Sequence, residues 1–146
     1  MLVFDTNVLI YAVDEDSPYH NQCRDRLLQA REDPSPAFLT WNVCYEFLRV
    51  TTHARVSLNP WTPWEAWNFL EALLESSGFE LLVATQRHAA VLRQTLGELP
   101  DVSGNLFHDL HTAVLMREHG VSRICTRDTD FHRFPFLTVV DPLRHA

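Results

Sequence analysis

The fold is decided by the N-terminal stretch, MLVFDTNVLIYAV (residues 1–13). Leu2 to Phe4 form a short apolar run of the kind found in a strand that is buried on both faces. Polarity returns at Asp5-Thr6-Asn7, and a second apolar run, Val8 to Val13, fits a helix that starts just after these three residues. We therefore expect Asp5 at the carboxyl end of a central parallel strand, where ligands bind in open α/β sheets.

A simpler interpretation of the same stretch is that Asp5 or Asn7 only caps the following helix. Asp and Asn are both favoured at this position, because their side chains accept hydrogen bonds from free backbone N–H groups. The stretch alone does not separate capping from function. Other acidic residues along the chain bear on the choice.

Length and composition place the chain among ordinary globular proteins. Its 146 residues fit one domain (1–146), with 46% apolar and 21% charged residues. No apolar run approaches membrane-spanning length, and no signal-peptide pattern is present, so we expect a cytoplasmic protein without membrane association. The three cysteines, Cys23, Cys44 and Cys125, form no CxxC pair, which fits a reducing compartment.

The charge balance excludes some functions and leaves others open. A net charge of −7 counts against plain electrostatic binding of nucleic acid. It does not exclude a nuclease, because a bound divalent metal reverses the local field at a carboxylate site. All cationic side chains are arginines, so chemistry that needs a lysine, such as a P-loop or a Schiff base, is excluded.

Segments typical of strands and helices alternate along the chain. The expected strands are Leu2–Phe4, Ala37–Leu39, Glu80–Ala84, Val121–Thr126 and Phe136–Val140. The expected helices are Val8–Val13, His20–Glu32, Trp41–Thr52, Pro63–Ser77, Gln86–Leu96 and Asn105–His119, with Gly78 and Gly120 as C-terminal caps of the fourth and sixth. This alternation predicts a three-layer α/β/α domain with a mostly parallel five-stranded sheet.

Glu46 stands on an apolar helix face. It lies three residues after Val43 and four before Val50, so the three side chains share one side of the Trp41–Thr52 helix. A carboxylate in that position is costly unless it is paired or binds a metal. The alternative is that Glu46 lies at the edge of the apolar face and pairs with Arg49.

Further acids fall at the same edge of the expected sheet. Asp109 lies near the start of the Asn105–His119 helix, and Asp128 and Asp130 follow the fourth strand. Together with Asp5 and Glu46 they would form an acidic cavity in which the carboxylates repel one another. A hard divalent cation such as Mg²⁺ or Mn²⁺ relieves such repulsion, because it prefers oxygen ligands.

Aromatic residues are concentrated around the fourth helix. Trp61, Trp64, Trp67 and Phe69 predict a cluster that serves in core packing or as a subunit interface. A base-stacking platform is the alternative, but no arginine is interleaved with these rings.

Four motifs together resemble those of PIN-domain ribonucleases, and more narrowly the VapC-type toxins of bacterial toxin–antitoxin pairs. They are Phe4-Asp5-Thr6-Asn7 with the apolar run after it, Tyr45-Glu46-Phe47-Leu48-Arg49, Phe107-His108-Asp109-Leu110 and Thr126-Arg127-Asp128-Thr129-Asp130-Phe131. Each motif alone is weak, but their order and spacing cover essentially the whole chain.

The resemblance implies an endoribonuclease that depends on Mg²⁺ or Mn²⁺, is inhibited by a cognate antitoxin, and commonly forms a homodimer. Asp5 and Asp109 would be the principal metal ligands, with Glu46 and Asp128 completing the set, and Asp130 in support. Thr6 and Asn7 would orient Asp5 and its bound waters. Water activated by the cation would then attack the RNA phosphodiester.

The residues that would contact RNA are less well marked. Arg49, Arg127 and Arg133 are candidates for binding phosphates. His108 and His111 flank Asp109 but point to other faces of the helix. Two other functions stay open, namely another metal-dependent phosphoesterase (a DNA nuclease or phosphatase) and a non-catalytic module whose acidic pocket binds a basic segment.

Overall fold

The computed structural model describes residues 1–56 and 59–144. Its strands are β1 (Leu2–Phe4), β2 (Ala37–Thr40), β3 (Phe79–Leu82), β4 (Arg123–Cys125) and β5 (Thr138–Val140). Its helices are α1 (Thr6–Val13), α2 (His20–Glu32), α3 (Trp41–Thr51), α4 (Pro63–Glu75), α5 (His88–Glu98) and α6 (Leu106–Glu118). The expected alternation is confirmed, but the short 3₁₀ helix Thr129–Arg133 was not predicted. None of the described helices is long and apolar enough to cross a membrane.

All five strands are parallel and lie in the order β3-β2-β1-β4-β5. In the central strand, Val3 pairs with Phe38 of β2 on one side and with Ile124 of β4 on the other. The chain builds outward from β1 to β3, then returns to the other side of β1 to add β4 and β5. The strand order therefore reverses between β1 and β4, and the crevice at their carboxyl ends is the expected ligand site.

Two hydrophobic cores lie on the two faces of this sheet. Because successive strand residues point to opposite faces, Phe4 and Leu39 pack against α1 to α4, whereas Val3 and Phe38 pack against α5 and α6. Helices α3 and α6 therefore belong to different layers. They approach each other above the carboxyl ends of the strands.

The predicted helix caps define where several helices begin and end. At the start of α3, the Thr40 hydroxyl accepts a hydrogen bond from the Val43 N–H at 3.3 Å. Thr62 and Glu65 form the reciprocal pair of a capping box at the start of α4. Gly120, with φ of 71°, follows α6 in the left-handed conformation that favours glycine.

The prediction that Gly78 caps α4 is wrong. Helix α4 ends at Glu75, and Ser76 is its cap. Gly78 instead allows close packing, because a Cβ there would lie 2.5 Å from the carbonyl oxygen of Ala30 at the end of α2. Its own carbonyl accepts a hydrogen bond from the Ala37 N–H at 2.8 Å, at the start of β2.

The aromatic cluster is divided between the core and the surface. Trp61 and Phe69 pack on Phe47, with ring centroids 6.3 Å and 5.2 Å from that of Phe47, which confirms core packing for these two residues. Trp64 is 73% exposed. For Trp64, both the subunit interface and the base-stacking platform stay predictions.

Candidate functional site

A cavity of about 330 Å³ opens at the carboxyl ends of β1 and β4. Acidic residues from four chain segments line it: Asp5 before α1, Glu46 on α3, Asp109 on α6 and Asp128 after β4. The sequence places these acids far apart along the chain. The fold brings all four to one cavity at the reversal point of the strand order.

Asp5 both caps α1 and belongs to the cavity. Its Oδ1 accepts a hydrogen bond from the Thr6 backbone N–H at 2.8 Å, which confirms that Asp5 caps α1. Its Oδ2 accepts hydrogen bonds from the Thr126 hydroxyl at 2.7 Å and from Nδ2 of Asn7 at 3.1 Å. Burial raises the pKa of Asp5, and Asp128 and Glu46 raise it further, which outweighs the lowering by the hydrogen bonds from Thr126 and Thr6.

Asn7 and Thr126 connect the ends of β1 and β4. Besides its bond to Asp5, the Asn7 amide donates to the Thr126 hydroxyl at 3.0 Å and accepts from the Arg127 N–H at 3.1 Å. The Thr126 hydroxyl also accepts the Asp128 N–H at 2.9 Å. These bonds hold Asp5 and Asp128 in a defined relative position.

Thr126 was not identified as a site residue from the sequence. It is 1% exposed, and its role depends on the pairing of β1 with β4. A threonine at the end of an apolar strand, two residues before an acid, was the available signal. It becomes informative only when the neighbouring strand is known.

Asp109 lies in the first turn of α6, where the helix dipole favours an anion. Burial nevertheless raises its pKa to about 7, and repulsion from Asp128, Asp5 and Asp130 contributes to the increase. Without a cation, this carboxyl is therefore about half protonated near neutral pH. A cation placed among these acids would favour the charged form.

Asp128 and Asp130 occupy different positions at the edge of the cavity. Asp128 lines the cavity and caps the 3₁₀ helix, its Oδ1 accepting the Asp130 N–H at 2.9 Å. Asp130 is exposed and does not line the cavity. Both nevertheless have a carboxylate oxygen close to Asp109, since one oxygen from each of the three residues lies within 4.8 Å of the others.

Glu46 combines both interpretations drawn from the sequence. It lines the cavity, and its two carboxylate oxygens accept hydrogen bonds from Nη2 and Nε of Arg49 at 2.6 Å and 3.1 Å. This pairing lowers the pKa of Glu46 despite partial burial, so the side chain is anionic at neutral pH. At 45% exposure, the Glu46 side chain stands at the mouth of the cavity.

The three arginine candidates lie outside the described lining of the cavity. Arg49 is paired with Glu46, and Arg133 is exposed at the end of the 3₁₀ helix. The Arg127 guanidinium lies over the Tyr19 ring, 4.2 Å from its centroid, and its Nη1 is buried without a hydrogen-bond partner.

The histidine and cysteine side chains differ in their access to the cavity. His108 lines it, whereas the ring of His111 packs against that of His88 with centroids 5.8 Å apart.

The three cysteines are free and buried, and burial raises the thiol pKa to about 11 or about 12. Such thiols are poor nucleophiles, so the cysteines are not candidates for covalent chemistry.

The donor set fits a divalent cation. Asp109, Asp128 and Asp130 offer carboxylate oxygens close enough to one another to share an ion, and Asp5 and Glu46 add negative charge beside them. Carboxylates are ligands for hard cations such as Mg²⁺ or Mn²⁺. Burial is the main cause of the raised pKa of Asp109, and repulsion from Asp128, Asp5 and Asp130 adds to it, so a bound cation would favour the charged form of this carboxyl.

Comparison with known proteins gives one consistent family. The family profile described as PIN domain matches residues 2–137. Ribonuclease VapC43 of Mycobacterium tuberculosis is 34% identical over 143 residues, which cover 98% of this chain and 96% of that protein. Ribonuclease VapC48 of the same species is 29% identical over 139 residues and covers 95% of each chain.

A solved structure with a similar fold is a toxin–antitoxin complex from Klebsiella pneumoniae. One of its chains superposes with a TM-score of 0.62 at 18% identity, covering 99% of this chain and 100% of that one. At this level of identity the likeness concerns the fold. It agrees with the parallel α/β architecture described above.

Proposed function

Because this chain belongs to the PIN domain family and is related over nearly its whole length to VapC ribonucleases, we propose that it is a metal-dependent endoribonuclease, the toxin of a type II toxin–antitoxin pair. One observation carries the proposal: Asp5, Glu46, Asp109 and Asp128 come from four chain segments to line one cavity. The whole chain, residues 1–146, would act as one such domain.

The cavity acids would bind Mg²⁺ or Mn²⁺. Asp5 and Asp109 are the proposed principal ligands, with Glu46 and Asp128 completing the set and Asp130 in support. When bound, such a cation lowers the pKa of a coordinated water and stabilises negative charge on phosphoryl oxygens. It also removes the repulsion that the acids would exert on an RNA phosphate.

Asn7, Thr6 and Thr126 would keep Asp5 in one orientation during this chemistry. Each of them donates a hydrogen bond to the Asp5 carboxylate, so both of its oxygens are held. A ligand fixed in advance does not lose conformational freedom when the cation and the RNA bind. These three residues are therefore proposed to position Asp5.

RNA phosphates would contact arginines at the mouth of the cavity. Arg133 is exposed, and the Arg49 side chain is 60% exposed while it pairs with the cavity acid Glu46, so both are proposed phosphate contacts. Arg127 is the weaker candidate, because its guanidinium is held over Tyr19.

The proposed protein partner is a cognate antitoxin with a basic segment. This proposal is supported by the similar fold found in the Klebsiella pneumoniae structure, which is a toxin–antitoxin complex. An arginine of the partner would match the carboxylates geometrically and occupy the position of the cation. A homodimer of this chain remains part of the proposal.

Cleavage of RNA by the purified protein tests the function. With Mn²⁺ present, the chain should cleave RNA internally, and EDTA should stop the reaction. Asp5→Asn and Asp109→Asn should each lower the initial rate by at least about a hundredfold, because each removes a proposed ligand. Asp25→Asn is the matched control, since Asp25 is exposed on α2 and outside the described lining of the cavity.

The alternatives give different results in the same assay. Cleavage that survives EDTA or either cavity substitution contradicts the metal site. Cleavage of DNA in preference to RNA identifies a DNA nuclease. Mn²⁺ binding without cleavage of either nucleic acid supports a binding module instead.

A further inference from the structure

One hydrogen bond joins the two helices that carry Glu46 and Asp109. Nδ2 of Asn42 on α3 donates to the Thr112 hydroxyl on α6 at 2.8 Å, and both residues line the cavity. Asn42 lies four residues before Glu46, and Thr112 lies three residues after Asp109. Each partner therefore shares a helix face with one of the acids.

This bond spans the two layers of the fold. Helix α3 packs on one face of the sheet and α6 on the other, so the two hydrophobic cores hold them separately. Within residues 1–56 and 59–144, it is the single side-chain hydrogen bond that connects any of α1 to α4 with α5 or α6. Among the described side chains, no other hydrogen bond acts on the separation of α3 and α6 at the cavity.

The contact is poorly suited to a purely stabilising role. Asn42 Oδ1 is buried and has no hydrogen-bond partner, and Thr112 is 2% exposed. Turning the amide by 180° would exchange its O and N atoms and leave the NH₂ group without a partner instead. An unpartnered buried polar group lowers stability, so an apolar pair of similar shape would keep the folded chain at least as stable, although it would not fix the direction of the contact.

Repulsion between the acids acts against the bond. One carboxylate oxygen from each of Asp109, Asp128 and Asp130 lies within 4.8 Å of the others, and Asp5 and Glu46 line the same cavity, so repulsion between like charges acts to separate the elements that carry them. A directional hydrogen bond between α3 and α6 resists that separation. An apolar contact constrains the relative position of the helices less closely, because the hydrophobic effect has no preferred direction.

We propose that Asn42 is a positioning residue, whose hydrogen bond to Thr112 sets the separation of Glu46 and Asp109 so that the cavity acids bind one divalent cation together. The inference rests on the proposed metal site. The cation affinity of the cavity then depends in part on the hydrogen bond between two uncharged side chains.

Titration of Mn²⁺ into the metal-free protein by calorimetry tests this inference without RNA. Thr112→Val removes the hydroxyl and keeps the side-chain shape, so it should raise the Mn²⁺ Kd about tenfold, and Asn42→Leu should do the same. Thr112→Ser keeps the hydroxyl and should restore an affinity close to that of the parent. The Asn42→Leu/Thr112→Val double variant should lose no more affinity than either single variant, because the two residues form one bond.

Thermal unfolding of the metal-free variants separates positioning from structural support. The double variant should melt at the temperature of the parent or above it, since it removes the unpartnered amide group. Glu98→Gln is the control, because it weakens the pairing of Glu98 with Arg117 at the opposite end of α6. It should leave the Mn²⁺ affinity unchanged.

Unchanged Mn²⁺ affinity in Thr112→Val or Asn42→Leu overturns the inference while the metal site stands. An equal loss of Mn²⁺ affinity in Thr112→Ser also overturns the inference. A loss of Mn²⁺ affinity in the double variant together with a lower melting temperature overturns it as well. A parent protein that binds no Mn²⁺ overturns the proposed metal site, and the inference falls with it.

Discussion

Individual acids of the cavity are held by different interactions. Asp5 accepts three hydrogen bonds and Glu46 is paired with Arg49. In the described part of the chain, no side-chain hydrogen bond reaches the Asp109 carboxyl, whose position depends on its place in the first turn of α6. A shift of α6 would therefore displace Asp109 directly, whereas Asp5 is fixed by its own neighbours.

Asp128 and Asp130 are expected to contribute unequally to cleavage. Asp128 lines the cavity and Asp130 is exposed, although both lie near Asp109. Asp128→Asn removes the charge but keeps an oxygen to accept the Asp130 N–H, so the 3₁₀ helix retains its cap. We expect it to lower the rate of RNA cleavage about 10- to 100-fold, and Asp130→Asn less than about threefold.

Initial rates on a fluorescent RNA at one Mn²⁺ concentration measure this difference, with circular dichroism to confirm that both variants are folded. If Asp130→Asn is the more damaging substitution, then Asp130 is the ligand and Asp128 has the supporting role.

Three of the cavity acids lie at or near the N-terminal ends of helices. Helix α1 begins at the Asp5 cap. Helix α3 begins at the Thr40 cap, which is the last residue of β2, so that the second turn of α3 carries Glu46 to the cavity. Helix α6 begins without a side-chain cap and presents Asp109 in its first turn. Asp5 and Asp109 thus lie at helix N-termini, and Glu46 lies one turn further along its helix.

Gly78 allows the loop before β3 to pack closely against α2. A Cβ at this position would lie 2.5 Å from the Ala30 carbonyl oxygen, and backbone atoms of Arg31 lie almost as close, so α2 must move to accept it. Gly78→Ala should lower the free energy of unfolding by about 1–3 kcal/mol, the usual cost of overpacking. Unfolding in urea measures the change.

Gly97→Ala is the matched control for Gly78→Ala. Gly97 lies within α5, and a Cβ there would have no neighbour within 4 Å. Alanine favours helix over glycine, so this substitution should leave the stability unchanged or raise it by up to about 1 kcal/mol. Equal effects of the two substitutions would contradict the packing role of Gly78.

The molecule as a whole combines two well-packed cores with a cavity of mutually repelling acids. The pKa of Asp109 rises from 3.8 to about 7 on folding, so between these pH values the folded chain binds a proton that the unfolded chain has released. The contribution of Asp109 to stability therefore becomes less favourable as the pH rises from about 4 to about 7.

The cation-free Asp109→Asn variant should reveal this dependence on pH. At pH 8 it should melt above the parent by about 2–4 °C, which corresponds to a gain on the order of 1 kcal/mol. At pH 5 the difference should become smaller, because Asp109 of the parent is then protonated. Differential scanning calorimetry in EDTA measures both values.

Excess Mn²⁺ should reverse the order at pH 8, since a cation that binds the folded parent stabilises it and the variant lacks a proposed ligand. A difference that stays constant between pH 5 and pH 8 would contradict the raised pKa of Asp109.

Much of the fold and part of the site could be predicted because they depend on contacts between near neighbours. The strand Leu2–Phe4, the caps at Thr40 and Thr62, and the pairing of Glu46 with Arg49 all involve residues at most four positions apart. Hydrophobic periodicity and capping report interactions of that range. The acids were found because Asp5, Asp109 and Asp128 stand at or near the ends of such local elements, and Glu46 stands on the apolar face of one.

The remaining features depend on which strands and helices become neighbours. The bond between Thr126 and Asp5 joins residues 121 positions apart, and that between Asn42 and Thr112 joins residues 70 positions apart. Gly78 likewise allows a close contact with α2 and does not cap α4. No local pattern reports these contacts, because they arise only when the strand order places β4 beside β1 and the two helix layers meet at the edge of the sheet.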